Sequence, residues 1–393
     1  MTARDPRPLI AHVLYRFDVG GLEQGVVNLI NRLPRDRWRH AVVALTEITS
    51  FRERVMTDDV EFIGLHKRPG HGFWLAPRLF RTFRRLNPDV VHTRNLAALE
   101  AQMPAALAGV KARVHGEHGW DMADLHGTDR GHALTRRAYR PFVSRWIALS
   151  THLAEYLRTR TGVAPDSIVQ IYNGVDTQRF LPIAERRAIE GCPFSDGSLV
   201  LIGTVGRLER VKNQALLLRA LAFLRTMDSD LGSRVRLVIV GNGSQRATLD
   251  ELARQLGVGA LVWWAGERRD VLPILQGLDI FVLPSLAEGI SNTVLEAMAT
   301  GLATVATAVG GNPELIRDNE TGRLVGSDDP AAMGAVIMQL ARNAEARRKL
   351  GVEARAEVER RFSLDRMVNE YEAVYNDVLA QRQRPALRAE SMR

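Results

Sequence analysis

Cysteine occurs once in the 393 residues, as Cys192, which excludes an internal disulfide and a thiolate metal cluster and fits a reducing compartment. No apolar run reaches the roughly 18 residues of a membrane-spanning helix. The opening "MTARDPRP" leads into a strand-like stretch rather than the apolar core of a signal peptide, so the protein is expected in the cytoplasm. Repeats at solenoid periods and low-complexity tracts are missing too, which excludes an array or a mainly disordered chain.

What is there is an ordinary globular composition, 46% hydrophobic and 25% charged, in a chain long enough for two cores of roughly 180 to 200 residues each. The net charge of +8 is unevenly placed: residues 1–180 carry 26 Lys and Arg against 18 Asp and Glu, residues 181–393 carry 27 against 27. Arginine supplies nearly all of the positive charge, since the chain has four lysines. A basic first half suits a phosphorylated substrate, an anionic lipid or a nucleic acid, and charge alone does not choose among them.

Strand-like runs at 9–15, 40–45, 60–65, 89–92 and 146–150 alternate with helical ones, a βαβ pattern that predicts a parallel sheet. After "IVQIYNGVD" (168–176) comes "TQRFLPIAERRAIEGCPFSDG", rich in turn residues, and the pattern restarts at 198–206, 235–243, 261–266, 279–285 and 302–311. The expectation is an α/β protein of two Rossmann-like domains facing across a cleft, residues 1–180 and 181–363. A helix over 364–380 carries Met367, Tyr371, Val374, Tyr375 and Val378 at helical spacing and is free to cross back to the first domain; 381–393 reads as a frayed tail.

In "LAEGISNTVLEAMATG" (286–301) two glutamates, Glu288 and Glu296, follow the short apolar run "DIFVLPS", which reads as a strand buried on both faces. They therefore fall at the carboxyl edge of a sheet, where open α/β sheets bind ligands. Ser291 or Asn292 suits the cap of the following helix. A carboxylate is a poor phosphate ligand but accepts hydrogen bonds from sugar hydroxyls, which points to a nucleotide ribose for Glu296 and the transferred sugar for Glu288. For Glu296 the ordinary preference of glutamate for a helix start is the competing reading.

"VGRLERVKN" (205–213) puts Arg207 and Lys212 before another helix, where the helix dipole disfavours cations; they suit a clamp on a leaving diphosphate. Gly20 and Gly21, between the first strand and its helix, allow close approach of an anion, or form a plain tight turn. His115 and His118 in "ARVHGEHGWD" have the spacing of a metal-ligand pair but no third ligand, so a polar group aimed across the cleft is the better reading. "DSD" (228–230) follows a helical run and reads as a solvated turn. "GNGSQR" (241–246) is a glycine fingerprint short of its third glycine, too little for a nicotinamide cofactor.

With these motifs in this order, the sequence resembles the GT-B glycosyltransferases, specifically the large retaining family 4 of bacterial lipopolysaccharide, exopolysaccharide and mannoside transferases. The resemblance covers nearly the whole chain. It rests on the E-x7-E pair Glu288 and Glu296, on "GGNPELIRDNETGRLV" (310–325), "VGRLERVKN", "VIVGNGSQR" and "YNGVDTQRF", and on the early glycine pair. It implies a nucleotide-sugar donor held mainly by the second domain and a glycan or lipid-linked acceptor met by the first. It also implies that Arg207 and Lys212 bind the diphosphate, Glu296 the ribose, and Glu288 with the amides of Gly289, Ile290, Ser291 and Asn292 the sugar and phosphate. His118 matches a first-domain histidine that touches the transferred sugar, and no metal or other cofactor is needed. Ser291 and Asn292 stand where many members have a Pro-containing loop.

Two other readings compete: a GT-B sugar-nucleotide epimerase, or a non-catalytic module that binds anionic lipid or nucleic acid through the basic half. A phosphorylase would need a pyridoxal lysine, for which the four lysines offer no good candidate. Glu288 and Glu296 beside Arg207 and Lys212 speak against nucleic acid, because carboxylates repel phosphate. The segments 76–88 and 136–146 hold the strongest basic stretches. In the first, Arg78, Arg81, Arg84 and Arg85 flank Leu79, Phe80, Phe83 and Leu86. Such a face suits peripheral contact with the anionic inner surface of the plasma membrane.

Overall fold

A computed structural model describes residues 5–68, 72–119, 124 and 127–390, the side chains of Phe73 and 382–390 excepted. Strands β1 (Leu9–Leu14), β2 (Arg39–Ala44), β3 (Glu61–Gly64), β4 (Val90–Arg94), β5 (Ala112–Glu117), β6 (Arg145–Ala148) and β7 (Ile168–Gln170) form one sheet, ordered β3-β2-β1-β4-β5-β6-β7. Strands β8 (Val200–Val205), β9 (Val235–Val240), β10 (Val262–Gly266), β11 (Ile280–Leu283), β12 (Ala303–Thr307) and β13 (Arg323–Val325) form another, ordered β10-β9-β8-β11-β12-β13. All neighbouring pairs are parallel. The central strands β1 and β8 are buried at every position, as strands covered on both faces must be.

The chain divides into two compact units, Met1–Asn173 with Asp365–Arg393, and Gly174–Leu364. The boundary thus lies before 174 and not at 180. Backbone bonds explain the difference: Val175 N–H donates to Phe362 C=O and Leu364 N–H to Val175 C=O, both at 2.9 Å, which draws this stretch into the second unit.

The last helix, Leu364–Glu390, runs past 380, so residues 381–390 of the expected tail continue it, and 391–393 lie outside the described residues. Met367, Tyr371, Val374, Tyr375 and Val378 are all buried. Within the first unit Trp38 Nε1–H donates to Glu372 at 2.7 Å, and the Tyr375 hydroxyl lies 2.8 Å from His92 Nδ1.

In the second unit the helices Gln214–Met227 and Pro330–Arg342 press Leu217, Leu221, Leu224, Met333 and Ile337 into the core over β8, β9 and β11. Each such side chain contributes about 1.5–3 kcal/mol by leaving water. "DSD" is a structural element rather than a solvated turn. Asp228 caps the helix Ser229–Arg234 by accepting from Leu231 N–H at 3.0 Å, and it pairs with Arg342.

In each sheet the strand order reverses once, between β1 and β4 and between β8 and β11. Loops leaving the two strands at such a point part to opposite sides and open a crevice at the carboxyl edge.

Candidate active site

At the switch point of the second sheet the loop after β8 carries Arg207 and Lys212, and the loop after β11 carries Ser285 and Glu288. Leu286 N–H donates to Val211 C=O at 2.8 Å, which clips the two loops together. Lys212 Nζ reaches Glu288 Oε1 at 2.5 Å across 76 residues of sequence, and Ser285 Oγ–H donates to the same oxygen at 2.6 Å. From sequence these two residues have separate ligands; in the structure they hold each other. Their side chains are 23% and 8% exposed, so the pair is partly sheltered from water. Arg207 is exposed at the end of β8 and forms no ion pair among the described residues.

Two of the sequence motifs turn out to pack these loops. Gly241 sits at φ 134°, and a Cβ there would strike the carbonyl of Gly206. Leu208 N–H then donates to Asn242 C=O and Gln245 N–H to Leu208 C=O, both at 2.9 Å. Gly310, at φ 53°, lies as tightly on the carbonyl of Glu288. No side chain fits at either place, so Gly241 and Gly310 let "GNGS" and "GGNPE" pack directly on the loops that carry the site.

The helix Asn292–Ala299 is capped by Ser291, whose Oγ accepts from Val294 N–H at 3.4 Å; Asn292 opens the helix. Ile290 is buried at 6% exposure, so it and Gly289 offer backbone and not side chain. Glu296 points from this helix into a low-dielectric setting. Burial pushes its carboxyl up to about 7, against the pull of Arg179.

The first unit carries the remaining candidates. Gly20 precedes the helix Gly21–Arg32 in extended backbone, and neither glycine has a positive φ. The Glu23 carboxylate folds back against Gly20, where a Cβ would collide with it. The chain's own carboxylate thus lies where an anion was expected. His118 follows β5, and its backbone N–H donates to Asn95 Oδ1 at 2.7 Å; Asn95 adopts the left-handed conformation at φ 58°. Its ring Nε2 is buried and has no partner among the described residues. Burial, aided by the Arg94 charge, lowers the imidazole to about 3, so it is neutral at physiological pH.

His115 belongs to the interior: Nδ1 lies 2.7 Å from Thr93 Oγ1 and Nε2 3.2 Å from Glu117 Oε1. Glu117 takes two bonds from Arg136, at 2.6 and 3.0 Å. Burial works to raise the Glu117 carboxyl, but Arg136 and His115 outweigh it and hold it at about 2. Arg136, expected on a basic surface, is therefore 4% exposed and structural. Among the described residues no three His, Cys, Asp or Glu side chains converge as metal ligands.

Arg94 escaped the sequence reading. It closes β4 at the first sheet's switch point and is 2% exposed. Its Nη1 lies 3.2 Å from His12 Nδ1. A guanidinium only donates, so Nδ1 accepts and the His12 proton sits on Nε2, from where it is given to His40 Nδ1 at 3.1 Å. Burial lowers both imidazoles, His40 to about 4, and both are neutral. The sequence signal was an arginine ending an apolar strand in "DVVHTRN".

Elsewhere on the first unit, the helix Ala76–Leu86 buries Leu79 and Phe83 but leaves Phe80 37% exposed, with Trp74 80% exposed just before it. Arg85 pairs with Glu61 at 2.7 Å and Arg145 with Asp377 at 3.0 Å. No helix among the described residues is long and apolar enough to cross a membrane.

The family model described as "Glycosyl transferases group 1" matches residues 193–357, and "Glycosyltransferase Family 4" matches residues 19–179. Glycosyltransferase EpsD of Bacillus subtilis (strain 168) is 32% identical over 316 residues, 76% of this chain and 81% of its own. N-acetyl-alpha-D-glucosaminyl L-malate synthase of Bacillus anthracis is 26% identical over 325 residues, 79% of this chain and 80% of its own. Among solved structures, Anabaena Alr3699/HepE in complex with UDP superposes with a TM-score of 0.78 at 19% identity, covering 94% of this chain and 99% of that one. At that identity the likeness speaks for the fold. With a family model on each half and EpsD related across three quarters of the length, the chain belongs to glycosyltransferase family 4 and has the GT-B fold.

Proposed function

We propose that this glycosyltransferase moves a sugar, with retention, from a nucleotide-diphosphate sugar to a glycan or lipid-linked acceptor in exopolysaccharide or other cell-surface polysaccharide synthesis, on the cytoplasmic side of the membrane. The observation that carries the reading is the Lys212–Glu288 pair at the second sheet's switch point. An incoming diphosphate draws Lys212 from Glu288 and takes Arg207 as its second cation. The released Glu288 carboxylate then accepts from a hydroxyl of the sugar, and Glu296 accepts from the ribose. Gly289, Ile290, Ser291 and Asn292 supply backbone to the sugar and phosphate, and His118 is the polar candidate on the first unit.

The bond from the anomeric carbon to the phosphate oxygen breaks while the acceptor oxygen bonds to the same face. The acceptor's proton passes to the departing phosphate oxygen, so no side-chain base is needed. Cations fixed in the chain stabilise the developing charge, which removes the need for a metal. A structural relative seen with UDP, and a relative named for a glucosaminyl product, support a nucleotide-sugar donor.

The test is turnover of labelled nucleotide sugars with candidate acceptors, read as nucleotide release, with and without EDTA, and the anomeric configuration of the product by NMR. No release from any donor, an inverted product, or activity lost to EDTA and restored by manganese would each refute its part of the reading.

Exposed Trp74 and Phe80 beside Arg81 and Arg84 support contact of the first unit with an anionic bilayer. Arg81→Gln with Arg84→Gln should weaken vesicle binding about 30-fold at low salt, from about 1 kcal/mol per cation. Binding that ignores lipid charge leaves these arginines as solvated surface.

A further inference from the structure

At the first sheet's switch point the lining of a cavity of about 10 Å³ includes Leu22 and Gly25 of the helix Gly21–Arg32, Arg94 at the end of β4, His118 after β5, Asn173 and Tyr371 of the last helix. Two residues of that lining, Arg94 and His118, each carry a nitrogen, Nη2 and Nε2, that is buried without a hydrogen-bond partner among the described residues. Arg94 is permanently charged, yet its neighbours are neutral: His12 accepts from Nη1, and Tyr375 offers a hydroxyl. Among the described residues no carboxylate pairs with it, whereas the similarly buried Arg136 has Glu117. A buried charge without a counter-charge is held at a cost, and buried donors beside one cavity that meet nothing await an acceptor.

The dimensions limit what that acceptor is. The cavity has the room of one water or one oxygen, so a whole phosphate stays outside and sends a single atom in. Leu22 and Gly25 add no negative charge to repel it. We propose that this cavity is an anion subsite that takes one oxygen of a carboxylate or phosphate carried by the acceptor substrate, with Arg94 Nη2–H and the Nε2–H tautomer of His118 as its donors. The assignment to the acceptor rests on the reading that the first unit meets the acceptor.

The full chain is unfolded thermally in inorganic phosphate, malonate and chloride at equal ionic strength, as wild type, Arg94→Met and Arg94→Lys. Phosphate or malonate raises the wild-type Tm above its value in chloride, R94K keeps part of the gain, and R94M keeps none. Phosphate affinity falls about 10-fold or more in R94M, because a charge-assisted bond is lost. In chloride R94M melts no lower than wild type, since the unmatched cation is gone. A gain from phosphate alone assigns a phosphorylated acceptor, a gain from malonate alone a carboxylated one.

Equal wild-type melting in all three salts overturns the proposal, and so does an anion gain that survives in R94M. R94M melting well below wild type in chloride makes Arg94 a structural cation and overturns it too. Should R94M not fold, histidine NMR of the wild type decides: phosphate or malonate shifts His118 while exposed His152 behaves as in chloride, and equal behaviour of the two refutes the subsite. Calorimetry with a nucleoside diphosphate on the same samples keeps the failures apart. Its absence counts against the donor reading, whereas the subsite stands or falls with the salts.

Discussion

The two switch points have the same topology and opposite electrostatics. Each brings a cation to the carboxyl edge of a parallel sheet, Lys212 after β8 and Arg94 at the end of β4. Lys212 is closed by Glu288 at 2.5 Å; Arg94 faces neutral imidazole and phenol. The pair is a latch, whose partners can be exchanged for a ligand's phosphate and hydroxyl at little net electrostatic cost. The unmatched cation has hydrogen bonds but no counter-charge, so a ligand's negative charge would add to it without displacing a carboxylate. Residue type follows the role. A flexible, partly exposed lysine can swing between partners, while a planar buried arginine stays aimed.

The contrast breaks first at the latch. Lys212→Ala and Arg207→Ala should each cost about 100-fold or more in transfer, as loss of one preorganised donor does. K212A should also melt lower than wild type, because it strands the Glu288 carboxylate. Near-normal turnover of both variants at saturating donor would mean that the diphosphate is held elsewhere.

A smaller effect separates the two glutamates. Glu288→Gln should slow transfer about 10-fold with nucleoside diphosphate still bound, and Glu296→Gln should weaken that binding by a similar factor. Calorimetry decides; equal binding losses in both variants would show that Glu288 also serves the nucleotide.

The smallest effect is in stability. Folding raises the Glu296 carboxyl from its ordinary 4.5 to about 7, so the folded state holds the proton more tightly between those values. Its contribution is therefore full below pH 4.5 and is lost as the pH rises through 7. E296Q should melt about 2 to 5 °C above wild type at pH 8 and level with it at pH 4.5. The same difference at both pH values would mean that Glu296 has already found a partner.

Much of this was legible in the sequence. Continuous apolar runs marked the central strands, and a glutamate pair behind one of them marked the carboxyl edge. The meeting of Lys212 with Glu288 was not legible, because it depends on which strands become neighbours across 76 residues. Arg136 read as surface charge because helical spacing shows the arginine and hides Glu117, its partner from another element. Arg94 was passed over for a similar reason. A charge ending a strand is ordinarily wet, and only the fold shows Tyr371 and Tyr375 of the last helix buried beside it. The boundary moved from 180 to 174 because a long-range backbone pairing, Val175 with Ser363, outranks local turn chemistry.

The single backbone bond from Leu286 to Val211 has a kinetic meaning. The loops bearing Lys212 and Glu288 cannot part without breaking it, so they open as one cooperative unit. The Leu286 amide is then a natural clock for that opening. Its hydrogen exchange should keep step with amides of the β8 loop such as Leu208, and slow together with them when a donor fills the site.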